Sequence, residues 1–231
     1  MKIKQGMILA AGLGKRMQPI TLKTPKSLIQ IGNKNLLHRA IELLINHGVD
    51  EIAINVHYLA DQITDFINKK KYKAKITISH EHDMLLDTGG GILNATKSFK
   101  KPFVVINPDT LWSNAYLSEL SDLEDLYFKH KKACLLLVNK NLSFDNSFNG
   151  DFNLKNVIVS RDKSNELIFT GLQILDHSVF NSIKDKIFSM NNIWNNLISN
   201  KLLIGIESKQ KFYHLNTKEM LDKILSLNIT D

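Results

Sequence analysis

The residues of this chain whose types and spacing could best do chemistry are Lys15, Arg16 and Lys26. They lie in GMILAAGLGKRMQPITLKTPKSLIQIG, from Gly6 to Gly32, where an apolar segment breaks into a turn of small residues, releases a lysine and an arginine, and reaches a second lysine through two prolines. Small residues in LAAGLG let backbone N–H groups approach an anion closely, and an arginine can fork onto phosphate oxygens. Pro25 sets its own φ and holds Thr24 extended, so Lys26 is delivered from a stiff segment as an ammonium able to sit between two phosphates. A polyphosphate fits this chemistry. Two other glycine loops do not fit it. A dinucleotide fingerprint needs glycine where Met17 stands, and a Walker loop needs glycine at Leu9 and a hydroxyl at Arg16.

Such a turn must be held by flanking elements, and the chain alternates them. Gly6–Ala10 reads as a buried strand, and NLLHRAIELLINHG places Leu37, Ala40, Ile41 and Leu44 on one helical face that Gly48 stops. EIAINV, AKITISH, PFVVIN and ACLLLVN read as further strands, separated by helical LADQITDFINK, a helix start at GGILNATKSF, and helical YLSELSDLEDLYFKHK. The alternation predicts βαβ units and a mostly parallel sheet, with ligands at the carboxyl ends of its strands. After about residue 140 the pattern changes to a polar loop, NLSFDNSFNGDFN, followed by NVIVS, ELIFTGLQIL, LLIGIES and KFYHL, with helical pieces at 178–199 and 217–227. This part reads as a second lobe on the same sheet.

Composition bounds the function. At 231 residues and 43% apolar composition the chain is one ordinary domain with ample core. The net charge of +7 raises nucleic acid as a partner, but the lysines are scattered, only KKKYKAK at 69–75 is dense, and there are three arginines, Arg16, Arg39 and Arg161. No nucleic-acid partner is therefore expected; a basic surface of this kind favours small anions such as phosphates. The single cysteine, Cys134, lies in the apolar run ACLLLV and is expected as a buried reduced thiol, which fits a cytoplasmic protein. No signal-like start and no apolar run of roughly 20 residues is seen, so no membrane partner is expected.

The stretch Leu9–Leu28 resembles the signature of the sugar-1-phosphate nucleotidyltransferases, L-A-A-G-x-G-x-R-M-x-P-x-T-x-x-x-P-K-x-L, with every position filled. DTGGGI, Asp87–Ile92, resembles the loop that faces the nucleobase in that family, and VVINPDTLW the strand that ends in a metal-binding aspartate, here Asp109. Through NVHYLADQI, LLDTGGGI, the DTLW turn, TGLQIL and the tail FYHLNT the chain is most similar to the bacterial N-acetylmuramate-1-phosphate uridylyltransferases. The resemblance implies a single Rossmann-like (GT-A-like) α/β domain over 1–231 with a mostly parallel mixed sheet. Residues 1–140 would form the nucleotide-binding part and 141–231 a small sugar-phosphate-binding lobe.

The reaction it implies is in-line attack of a sugar 1-phosphate on the α-phosphorus of a nucleoside triphosphate, with pyrophosphate leaving. UTP and N-acetylmuramate 1-phosphate are the expected pair, for peptidoglycan recycling. Guanylyltransfer to mannose or heptose 1-phosphate, cytidylyltransfer to phosphocholine, and a catalytically silent nucleotide-sugar-binding module stay as alternatives. The nucleophile is already an anion, so no catalytic triad is needed. Lys26, Arg16 and Asp109 are the expected catalytic residues, with Leu9, Ala10, Ala11, Gly12, Gly14 and Lys15 around the nucleotide. Gly89 and Gly90 would lay bare backbone against the base, and Glu81 would accept from its N–H. Thr170, Gly171 and Asn153 would line the sugar pocket. Trp112 is equally suited to stacking on a sugar and to the core, and Arg161 to a substrate carboxylate or a solvent-exposed turn. Mg²⁺ is the expected cofactor on Asp109. Many relatives place a second metal-binding aspartate in W-x-D-x-G-T; this chain has His214 there and Asn216 at the glycine, which brings Mn²⁺ or Co²⁺ into consideration. Pro108 stands where relatives often have Gly or Ser. His57, His80 and His82 lack ligand spacing and read as loop histidines. A monomer or dimer is expected.

Overall fold

The computed structural model describes residues 1–227. Its strands are β1 (Gln5–Leu9), β2 (Gln30–Ile31), β3 (Lys34–Asn35), β4 (Glu51–Val56), β5 (Lys75–His80), β6 (Phe103–Ile106), β7 (Ala133–Asn139), β8 (Asn153–Lys155), β9 (Ile158–Ser160), β10 (Leu167–Leu175) and β11 (Leu203–Ser208). The helices are α1 (Leu36–His47), α2 (Ala60–Lys69), α3 (Asp87–Ala95), α4 (Leu117–His130), α5 (Met190–Ser199) and α6 (Lys218–Ser226). Nine strands form one sheet in the order β5-β4-β1-β6-β10-β7-β11-β9-β8, and β2 pairs with β3 as a small separate hairpin.

Followed through its pairings, seven of the nine strands run with β1, and β9 and β10 run against it. The expected mostly parallel sheet is present. From β1 the chain builds outward to β4 and β5, then crosses back to place β6 on the other side of β1. The carboxyl ends of β1 and β6 therefore flank the point where the winding reverses, which is where open α/β sheets bind ligands.

The near-continuous apolar strands are explained by burial on both faces. Alternate residues of β1 and β6 part company: Ile8, Val104 and Ile106 join α1, α2 and α4, while Met7, Phe103 and Val105 join α3 and α5. Trp112 is buried in the first of these cores, against Tyr116, and its indole N–H donates to the Asn107 carbonyl at 2.7 Å, so it is a core tryptophan. A third cluster joins Met17, Ile29, Leu111 and Leu215 to Met220, Leu221 and Ile224 of α6. Those first four residues each follow a candidate functional residue, Arg16, Lys26, Asp109 or His214, by one to three positions. One apolar knot thus clamps the separate segments on which the candidate residues ride.

Two local expectations change. The expected strand KFYHL lies outside the sheet as a single extended pass with isolated bridges Ser143–Phe212 and Thr110–His214. The polar loop NLSFDNSFNGDFN runs into β8 at Asn153, and the short edge pairing of β8 with β9 has no strong apolar signature. Among the described residues no helix is long and apolar enough to cross a membrane.

Candidate active site

Strand β1 ends at Leu9 and opens into a cavity of about 370 Å³ lined by Leu9, Ala10, Ala11, Gly12, Gly14 and Lys15, then by Arg16, Lys26 and Asp109. All nine were singled out in the sequence. Gly12 has no neighbour within 4 Å of a would-be Cβ, which leaves the turn open to an approaching group. Gly14 is left-handed at φ +62°, and a side chain there would meet Thr21 at 2.8 Å; Thr21 also donates to the Gly14 carbonyl. The left-handed glycine caps the one-turn helix Lys15–Met17, and both basic residues of that turn line the opening.

Pro25 precedes a second short turn, Lys26–Leu28, closed by Leu28 N–H to the Pro25 carbonyl at 2.9 Å. From it the Lys26 ammonium reaches Asp109 Oδ2 at 2.6 Å. Asp109 leaves β6 through Asn107 and Pro108, and its carbonyl accepts Leu215 N–H at 2.7 Å. That bond aligns the tail pass so that His214 Nε2 lies 3.2 Å from the same Oδ2. Phe212, stacked on His214 at 5.8 Å, and Phe148, tilted at 5.6 Å, hold the ring. Burial opposes charge on Asp109, but Lys26 and then His214 outweigh it and hold the carboxyl well below the usual carboxylate range.

This corner fits a divalent cation. Asp109 Oδ1, His214 Nδ1 and Asn216 Oδ1 are buried without a hydrogen-bond partner. A carboxylate oxygen and an amide oxygen suit a hard ion, and an imidazole nitrogen suits a softer one. Among the described residues no three His, Cys, Asp or Glu side chains converge into a complete cage, so phosphate oxygens or water would fill the remaining positions.

Other expected residues serve as supports. Glu81 does not face the cavity; its carboxylate accepts Asn55 Nδ2 at 2.7 Å and Leu86 N–H at 2.8 Å. Asn55 in turn accepts Ala10 N–H at 2.8 Å, so Glu81, buried outside the cavity lining, anchors the start of the glycine turn. Gly89 and Gly90 do not offer bare backbone to a base either. Both amides donate to the Phe188 carbonyl, and a Cβ on Gly90 would sit 2.2 Å from the Lys186 carbonyl oxygen. Leu85, Asp87 and Thr88 of the same loop line the cavity instead.

Thr170 and Gly171 lie behind Asp109. Thr170 Oγ1 donates to the Leu136 carbonyl at 2.9 Å, and its own carbonyl accepts Thr110 Oγ1 at 2.6 Å. Gly171, at φ +94° in the irregular part of β10, leaves room for Asn107, whose N–H it accepts at 2.8 Å. Asn153 is spent on the 162–166 turn, donating to Asp162 and accepting Glu166 N–H at 3.1 Å. Arg161 lies over Phe152 and donates to Asn191 and Asn195. His57 bonds to the Glu81 carbonyl, and His80 stacks on His82 at 4.9 Å. Sequence reasoning missed Asn55, Asn107 and Ser27 as lining residues. Asn55 and Asn107 end apolar strands at the sheet's carboxyl edge, which was the available signal.

A family model described as nucleotidyl transferase matches residues 5–142. N-acetylmuramate alpha-1-phosphate uridylyltransferase of Caulobacter vibrioides is 28% identical over 92% of this chain and 91% of its own. The protein of the same name from Neisseria meningitidis serogroup B is 33% identical over 78% of each. Mannose-1-phosphate guanyltransferase of Saccharomyces cerevisiae is 36% identical, but over 51% of this chain and 34% of its own. Among solved structures, HddC from Yersinia pseudotuberculosis complexed with GMP-PN superposes with a TM-score of 0.78 at 23% identity, covering 97% of this chain and 99% of that one, which shows a shared fold. With the glycine turn, Lys26 and Asp109 gathered in one cavity at the reversal of the sheet, the chain belongs to the nucleotidyl transferase family, among its sugar-1-phosphate nucleotidyltransferases.

Proposed function

We propose that the chain transfers a uridylyl group from UTP to N-acetylmuramate 1-phosphate, with pyrophosphate as the leaving group and a nucleotide sugar as the product. The observation that carries the choice of pair is coverage: the uridylyltransferases match along 91% and 78% of their own length, reaching past residue 142 into the part where an acceptor would be selected. Guanylyltransfer to mannose 1-phosphate is the second reading. It rests on the higher identity of the yeast enzyme, which is confined to about half of this chain.

In this reading the glycine turn receives the triphosphate with backbone N–H groups, and Lys15 and Arg16 meet its outer phosphates. Lys26 lies between the attacking phosphate and the α-phosphate, where two anions must be brought together. The attacking oxygen carries its own charge, so no residue has to remove a proton from it. The oxygen that leaves is likewise a pyrophosphate anion, stabilised by Arg16 and Lys15. Asp109, with His214 and Asn216 beside it, would hold a divalent cation, which would supply Lewis-acid neutralisation of phosphate charge. Mg²⁺ is the default, and the imidazole raises the relative performance of Mn²⁺ or Co²⁺. Residues 1–140 serve the nucleotide and 141–231 the sugar phosphate.

A pyrophosphate-release screen of four nucleoside triphosphates against a panel of sugar 1-phosphates tests this directly. UTP with N-acetylmuramate 1-phosphate is expected to turn over fastest. Faster turnover of GTP with mannose 1-phosphate establishes the second reading, and inactivity with every pair and every divalent ion indicates a silent binding module. Asp109→Asn abolishes turnover while sparing most nucleotide affinity, and His214→Asp moves the preference back toward Mg²⁺. An unchanged metal profile in His214→Ala removes the ligand role.

A further inference from the structure

Lys26 has two employers in this site. The function proposed above requires its ammonium between phosphates, yet it lies 2.6 Å from Asp109 Oδ2, the carboxylate that a cation would use. Neither side chain is far from its partner by accident of a loose surface, because exposures of 17% and 23% leave both largely enclosed. Lys26 is held at the backbone by the turn that begins at Pro25 and by Ile29 N–H to its own carbonyl at 3.1 Å, so only its side chain is free to swing.

We infer that Lys26 and a divalent cation compete for Asp109, so that the nucleotide-free protein excludes the cation and admits it together with a nucleoside triphosphate. The inference rests on the reading of Asp109 as a cation ligand. Three observations carry it. First, the ammonium already neutralises Asp109, and opposite charges this close in an enclosed site attract strongly. Second, the cavity holds three cationic side chains, Lys15, Arg16 and Lys26, against two carboxylates, Asp87 and Asp109, so a free dication enters a field that repels it. Third, Asp109 Oδ1, Asn216 Oδ1 and Ser27 Oγ are buried without partners, so the corner holds donor atoms for a cation once Lys26 is drawn off Oδ2.

A triphosphate changes each of these terms. It reverses the sign of the cavity, offers Lys26 phosphate oxygens in exchange for Asp109, and brings its own cation with oxygens already bound to it. Release of Lys26 from the carboxylate and its arrival on the phosphates are then one movement. The cation cannot occupy Asp109 fully until the lysine is where the chemistry needs it, which prevents a metal-loaded site with an unplaced lysine.

Mn²⁺ binding, followed by loss of the free-ion electron paramagnetic resonance signal beyond that caused by UTP alone, tests the competition without turnover, using UTP without an acceptor. The wild-type protein is expected to bind Mn²⁺ weakly alone and at least about tenfold more tightly with UTP. Lys26→Met, which keeps the apolar stem and removes the charge, is expected to bind Mn²⁺ at least about tenfold more tightly than wild type without nucleotide. Lys26→Arg, which keeps the charge, should not. Asp109→Asn should abolish the gain when combined with Lys26→Met. Equal Mn²⁺ affinity in wild type and a folded Lys26→Met, or tight binding by the nucleotide-free wild type, overturns the inference. Binding by neither protein even with UTP overturns it as well. Failure of the proposed reaction is separate, since it is read as absent pyrophosphate release when the acceptor is added.

Discussion

Arg16 and Lys26 illustrate how much a residue's type can say when the reaction needs charge more than proton transfer. Their side chains line one cavity, and the proposed chemistry asks them to offset negative charge that builds as two phosphate groups meet. Lys26→Ala is expected to lower kcat by on the order of 10²-fold or more, and Arg16→Ala to act similarly, as measured by single-turnover pyrophosphate release. Near-normal turnover in both variants would reduce them to surface cations. Glu81 shows the opposite situation. A carboxylate can read a base edge or tie down a neighbour, and the choice follows from its burial and from the Asn55 and Leu86 bonds to its two oxygens.

The triple glycine raises the same question for an element. Gly89–Gly91 lie in the first half of α3, and bare backbone at a base is a reasonable expectation for glycine there. The segment around Phe188 takes that space, although it lies far along the chain. Gly90→Ala is therefore expected to cost about 1–3 kcal/mol, the usual range for an overpacked site, because the added methyl meets a backbone carbonyl at 2.2 Å. For a chain of this size each kcal/mol lowers Tm by roughly 2–4 °C. UTP affinity, measured by calorimetry well below the transition, should change little. A large loss of affinity at an unchanged Tm would return the glycines to the base.

At the scale of the whole molecule, His47 at the end of α1 reports on the junction of α1, α4 and the start of the chain. Its Nε2 lies 3.4 Å from Glu124, which also pairs with Lys2 at 3.2 Å and accepts the Ile3 N–H. Burial lowers the His47 pKa below its ordinary 6.5, Glu124 opposes the shift, and Lys2 and Lys4 add to it. The unfolded chain then takes up a proton more readily than the native one, so this stability is present above pH 6.5 and lost as pH falls through the lowered native value. His47→Gln is expected to flatten that part of the acid-side loss, read as urea midpoints across the pH range. An unaltered slope would assign the loss to other groups.

What the sequence determined by itself is what local spacing and period encode. The run Leu9–Leu28 keeps the glycine turn, Arg16 and Lys26 in covalent proximity, and alternating apolar strands with amphipathic helices places Leu9 and Asp109 at strand ends whatever the remaining topology. The tail was also legible as far as His214, because it stood at a family position with an altered residue. The tertiary structure alone decided which strands reverse, since an apolar run looks the same in either direction, and it inserted β10 between β6 and β7. It also decided that Glu81, Gly89, Gly90, Thr170 and Gly171 pack behind the site and that Asn153 ties down the 162–166 turn. Their roles depend on partners distant in sequence, and a hydrogen-bonding group or a pocket of space already taken by such a partner is no longer available to a ligand.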